Sequence, residues 1–218
     1  LLIKEIQNGP IPYGSWTPAF QNIGYIADGV TNELPWEGDR IVEINPNSNE
    51  IVWSWSVFDH YNMIDYDTLG GYWNAALEYL KYDWTHCNSL FYDDSESSIY
   101  LSSRHLSRIT KIDYESGQII WNLGYQMESD DIDMGDDICF SYQHDITILD
   151  NGNLLFLDNG NLSQYYCNTD GPVTRAIELS ILENNETYSA SIEWEHTLDP
   201  MYSGLFMGSC QRLPNGNT

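Results

Sequence analysis

The chain has 218 residues, and its 33 acidic against 8 basic side chains give a formal charge of −25 at neutral pH. That balance excludes nucleic acid as a partner, because displacing counterions needs clustered Lys and Arg. Without an apolar run of about 18 residues no membrane span is expected, and the 42% hydrophobic and 14% aromatic content excludes wholesale disorder.

Leu1-Leu-Ile-Lys-Glu-Ile6 reads as a strand. Arg40-Ile-Val-Glu-Ile44, a polar turn and Ile51-Val-Trp53 read as a hairpin closed by tryptophan. Tyr72, Trp73, Ala76, Leu77 and Leu80 fall on one helical face, which predicts a short helix over 72–81. Leu90-Phe-Tyr92 and Ile99-Tyr-Leu101 flank an acidic turn, and the Trp-closed pattern returns from Arg108-Ile-Thr-Lys-Ile112 to Ile119-Ile-Trp121. The acidic run from Asp130 to Asp137 lacks EF-hand spacing and is expected to be a solvated loop. Ile146 to Leu157 forms two apolar runs around Asp150-Asn151-Gly152, where Asn-Gly supplies the positive φ of a tight hairpin. A third Trp-closed copy runs from Arg175 through Asn184-Asn185 to Trp194. Two hairpins per repeat give four-stranded antiparallel units, the blade pattern of an all-β propeller. Three or so blades cannot close a ring, so residues 1–218 read as one propeller domain, incomplete and cut from a longer polypeptide.

Four residues stand out chemically in two neighbouring strand-like runs and a third: His86 and Asn88 in Asp83-Trp-Thr-His-Cys-Asn88, Arg104 after Ser103, and His144 in Gln143-His144-Asp145. His60, just past Trp55, is a further candidate, whereas His105 and His196 lie in ordinary strand or turn settings and read as structural or solvent-facing. A guanidinium near a His-x-Asn triplet in so acidic a chain suggests a site for a small oxyanion. No HxH, HExxH or CxxC spacing is present, so no metal is expected, although His60, His86 and His144 could converge on one in three dimensions. The cysteines, Cys87, Cys139, Cys167 and Cys210, allow one disulfide in an oxidising compartment without specifying its pairing.

Several ordered motifs together resemble the arylsulfate sulfotransferase family. They are Asp83-Trp-Thr-His-x-Asn88, Ser103-Arg104, Ile109-x-Lys-Ile-Asp113, Gly117-x-Ile-Ile-Trp-x-Leu-Gly124, Gln143-His144-Asp145, Phe156-Leu-Asp-Asn-Gly160, Thr174-Arg-Ala-Ile-Glu178 and Gly208-Ser-x-Gln-Arg-Leu-Pro-Asn-Gly-Asn217. The similarity runs from about Arg40 to Thr218, and the first forty residues match poorly. The resemblance implies a six-bladed β-propeller that moves a sulfuryl group from a phenolic sulfate ester to a phenol with no cofactor. His144 would be the nucleophile that becomes sulfated, His86, Asn88 and Arg104 would hold the sulfuryl oxygens, and His60 would be a further active-site histidine. Imidazole, with an ordinary pKa of about 6.5, is a competent nucleophile at neutral pH.

The implied partners are an aryl sulfate donor and a phenolic acceptor; a homo-oligomer or filament stays open. The acidity suits an exported protein, and the expected location is extracellular or periplasmic. Two other readings stand beside this one. A catalytically inert secreted propeller could serve as scaffold, filament subunit or binding module, and Trp-closed blades also occur in metal- or quinone-dependent propeller enzymes.

Overall fold

The computed structural model describes residues 1–185 and 187–218. The chain divides into two compact units, Leu1–His86 and Cys87–Thr218.

In the first unit, β1 (Leu2–Gly9), β2 (Leu34–Ile44) and β3 (Ile51–Ser56) form an antiparallel sheet. Two short helices, α1 (Thr17–Asn22) and α2 (Val57–His60), lie in its connections. The predicted helix is α3 (Tyr72–Tyr79), which buries Trp73 and Ala76. It stops earlier than expected because Leu80 takes φ of +51° and turns outward, leaving its side chain exposed. The chain then returns through β4 (Tyr82–Asp83), which pairs parallel to β2. This departs from an all-antiparallel unit, and its cause is the helical crossover that precedes it.

Packing in this unit is mostly aromatic. Trp73 stacks on Tyr82 at 4.0 Å, and Trp36 meets both edge-on. Such pairs add roughly 0.5–1.5 kcal/mol each beyond the area they bury. Two of the indoles pass their N–H groups to backbone: Trp84 Nε1 to Asp65 O at 2.7 Å and Trp36 Nε1 to Pro10 O at 3.0 Å.

The second unit contains two antiparallel sheets whose strands follow chain order. The first comprises β5 (Cys87–Asp93), β6 (Ser98–Ser103), β7 (Arg108–Asp113) and β8 (Ile119–Gly124). The other comprises β9 (His144–Ile148), β10 (Leu154–Asp158), β11 (Arg175–Asn184) and β12 (Thr187–Thr197), with the short helix α4 (Ser163–Tyr166) after β10. Alternate residues supply the core between them: Trp121 and Leu123 from β8, Leu154 and Phe156 from β10, Ile177 and Leu179 from β11. Burying each such side chain contributes about 1.5–3 kcal/mol.

Register shows that the sequence repeat is structural. Glu43 pairs with Trp53, Lys111 with Trp121 and Glu178 with Trp194, and a register shift follows at Ile44, Ile112 and Leu179. The Asn-Gly hairpin also forms as expected, with Gly152 at φ of +83° and its N–H on Leu149 O. The acidic run is a loop with Asp130, Asp131, Asp133, Asp136 and Asp137 all exposed, as expected, and its backbone is also tied to the sheet. Asp133 accepts the backbone N–H of Asn122, Asn122 Nδ2 donates to Asp131 O, and Met134 bridges to Leu123, so this segment docks along β8.

Cys139 and Cys167 are joined by a disulfide, while Cys87 and Cys210 are not disulfide-bonded. The disulfide closes a loop over a sequence separation of 28 residues. Loop-closure entropy then makes its reduction cost about 3.5 kcal/mol. Urea unfolding with and without reductant checks this, and identical midpoints would refute it.

Candidate functional site

The site in the second unit is organised by the short segment that leads into β9. Tyr142 takes φ of +56°, and Gln143 beside it is fully buried. Its side chain plugs the turn between β6 and β7: Nε2 donates to Arg108 O at 2.9 Å, Ser102 Oγ at 3.0 Å and Ser103 O at 3.4 Å. Its carbonyl accepts Asn88 Nδ2 at 2.7 Å. The glutamine of the Gln-His motif thus locks the entry to β9 onto the neighbouring sheet.

Arg104 follows β6 directly and is buried, with its guanidinium 4.4 Å above the Tyr142 ring and 5.8 Å from the Phe206 ring. Its Nη2 also donates to Leu205 O at 3.4 Å. His144, half-buried, places Nδ1 2.6 Å from Asn159 Oδ1 and 3.1 Å from Tyr142 O. Three of the five predicted residues, Asn88, Arg104 and His144, are therefore gathered on the 142–144 segment.

The other two belong to the first unit. His60 ends α2 with its ring stacked on Trp55 at 4.5 Å. Burial pulls its pKa below the ordinary imidazole value, and the Asp59 charge opposes that in part. His86, at φ of +47°, is held through Nδ1 by Asp83. His105 is buried beside Tyr142 and is not solvent-facing.

Sequence reasoning missed Tyr142 as the shelf for Arg104, Asn159 as the partner of His144, and the 204–207 loop. Besides the Arg104 bond to Leu205 O, four more tie that loop down. Asn159 Nδ2 donates to Gly204 O and Met207 O, Asn161 Nδ2 donates to Leu205 O, and Gly204 N–H donates to Thr174 Oγ1. Gly160, at φ of +66°, is required here because a Cβ would sit 1.8 Å from Val173 O. Cys210 is a poor competitor as nucleophile: burial, then the Asp145 charge, pushes its thiol up to about 12.

Successive four-stranded sheets with matching register, with Asn88, Arg104 and His144 meeting at the 142–144 segment, define an all-β protein of repeated sheets. The chain belongs to the arylsulfotransferase family: the Arylsulfotransferase (ASST) family model matches residues 22–218, beginning earlier than the motifs alone suggest. No curated protein matches the chain. Family membership points to aryl sulfotransferase activity, with an aryl sulfate as donor and a phenol as acceptor. Among the described residues no helix is long and apolar enough to cross a membrane.

Proposed function

We propose that this protein transfers a sulfuryl group from an aryl sulfate to a phenol through a sulfated His144, within a six-bladed propeller to which its sheets contribute blades. The observation that carries the reading is the meeting of Asn88, Arg104 and His144 on the 142–144 segment of a chain that belongs to this family.

A ring nitrogen of His144 attacks sulfur, the N–S bond forms, and the S–O bond to the aryl group breaks with its electron pair leaving on the phenolate. A second phenolate reverses the sequence. The proton that the acceptor phenol gives up on becoming that phenolate passes to the phenolate released first, so the cycle needs no external acid or base in net terms. Arg104 is the group suited to the equatorial sulfuryl oxygens, because its planar fork offers several donors in fixed directions. Asn88, whose Nδ2 already engages Gln143 O, acts beside it. Phe206, 72% exposed and near Arg104, provides an aryl surface for either substrate. The Cys139–Cys167 disulfide supports an extracellular or periplasmic location, where such bonds persist.

The test is release of 4-nitrophenolate from 4-nitrophenyl sulfate by the full-length protein. Release that depends on added phenol, with the sulfated phenol recovered as product, is the expected result. Absence of transfer across a panel of aryl sulfates in folded protein would favour an inert scaffold.

A further inference from the structure

His144 Nδ1 faces two oxygens, and both have a single role. Tyr142 O is a carbonyl and can only accept. The Asn159 amide is fixed in orientation because its Nδ2 points at two carbonyls, Gly204 O at 2.6 Å and Met207 O at 2.8 Å. A flipped amide would set oxygen against both of them, so Oδ1 is the atom that faces the imidazole, at 2.6 Å. Nδ1 must therefore carry the proton, and in the neutral ring Nε2 carries the lone pair.

Asn159 is well placed to impose this. Its side chain is fully buried, and its own carbonyl accepts Thr174 Oγ1 at 3.1 Å. Register adds an independent reason. Ser103 pairs with Arg108 and Asp158 pairs with Arg175, the matching arginines of two repeats. Arg104 and Asn159, one residue further on, thus occupy the same position in successive sheets.

We infer that Asn159 is the positioning residue of the site, holding His144 as the Nδ1–H tautomer so that Nε2 is the nitrogen that meets sulfur. The inference rests on the sulfuryl-transfer reading for its catalytic meaning. In that step Nε2 forms the bond to sulfur while the aryl oxygen departs with the S–O pair. The Nδ1 proton stays on the ring, and the positive charge the ring gains is shared with Asn159 Oδ1. When the second phenolate takes the sulfuryl group, the N–S pair returns to Nε2. The 204–207 loop is held by the same amide, so the loop beneath Phe206 and the tautomer of His144 are set by one side chain.

The experiment is ¹⁵N NMR of histidine-labelled full-length protein at alkaline pH, with His144 assigned by a His144→Gln variant. The wild type is expected to show the Nδ1–H form. Asn159→Leu, which removes the acceptor, is expected to shift the ring toward the Nε2–H form that free histidine prefers and to lower kcat on the order of 10³-fold with KM little changed. Asn159→Asp keeps an acceptor at Nδ1, so it should retain the tautomer and move the acid limb of the pH profile upward, while its second oxygen, set against Gly204 O and Met207 O, lets kcat recover only in part. A wild-type ring protonated at Nε2, or an Asn159→Leu ring still protonated at Nδ1, would overturn the inference. If the tautomers behave as stated but no aryl sulfate is turned over, the tautomer assignment stands and the sulfotransferase reading falls.

Discussion

Replacing His144 by alanine is expected to abolish phenol-dependent transfer, a loss of about 10⁴-fold or more in kcat. Removing a covalent nucleophile takes away the step that divides one hard displacement into two easier ones, and losses of about 10⁶-fold accompany such removals elsewhere. No neighbouring group substitutes for it. The Cys210 thiol, pushed up to about 12, is almost wholly protonated at neutral pH. The fold should survive. The variant loses the bond to Asn159 Oδ1 and leaves that oxygen unsatisfied, a cost of about 1–3 kcal/mol. Circular dichroism should therefore match the wild type while Tm falls by several degrees. Incubating the wild type with donor alone should leave a sulfuryl adduct on the peptide containing His144, and the variant should show none. Wild-type turnover by His144→Ala would place the nucleophile elsewhere.

Much of this architecture is legible in the chain because strand periodicity and turn chemistry are local. Arg40 to Trp53, Arg108 to Trp121 and Arg175 to Trp194 all alternate as strands do, and their common register in the structure follows from that shared pattern. Asn151-Gly152 announces its own turn. What was not legible depends on partners that leave no side-chain signal. The helix end at Leu80 rests on a positive φ at a residue that usually avoids it. Asn159 reads as an ordinary turn residue, since the groups it holds at Gly204 and Met207 are backbone carbonyls and its third partner lies fifteen positions upstream at His144. The repeat offered one route to it, because the position after the second strand is Arg104 in one copy and Asn159 in the next. The Cys139–Cys167 pairing likewise depends on the chain doubling back after β10, which spacing does not specify.

The largest loss of stability is expected from Arg175→Met. Asp158 has no solvent exposure, and its Oδ2 accepts Arg175 Nη2 at 2.8 Å and Nε at 3.1 Å, while Oδ1 accepts Ser141 N–H at 2.9 Å. Even so, burial outweighs these partners and lifts the Asp158 pKa from 3.8 to about 6. Removing the guanidinium strands a buried carboxylate, which costs about 3–5 kcal/mol. For a chain of this length that corresponds to a fall in Tm of about 10 °C or more at pH 8.

The pH dependence distinguishes this from lost packing. The folded pKa of Asp158 lies above its unfolded value, so between about pH 4 and pH 6 the folded state holds the extra proton. This group's contribution to stability is fully present below that window, declines as pH rises through it, and is level above it. In Arg175→Met the folded pKa moves higher still, so the gap between variant and wild type should narrow steadily from pH 8 to pH 5 as Asp158 takes up its proton. A gap independent of pH would show that the arginine acts through its aliphatic stem instead. Because Asp158 immediately precedes Asn159, the same substitution should also loosen the support of His144, and transfer activity should fall further than the folded fraction alone accounts for. Asp158→Asn, which removes the buried charge and keeps the shape, should lose less stability than Arg175→Met at pH 8, since the guanidinium left behind still reaches Glu195 at 2.9 Å.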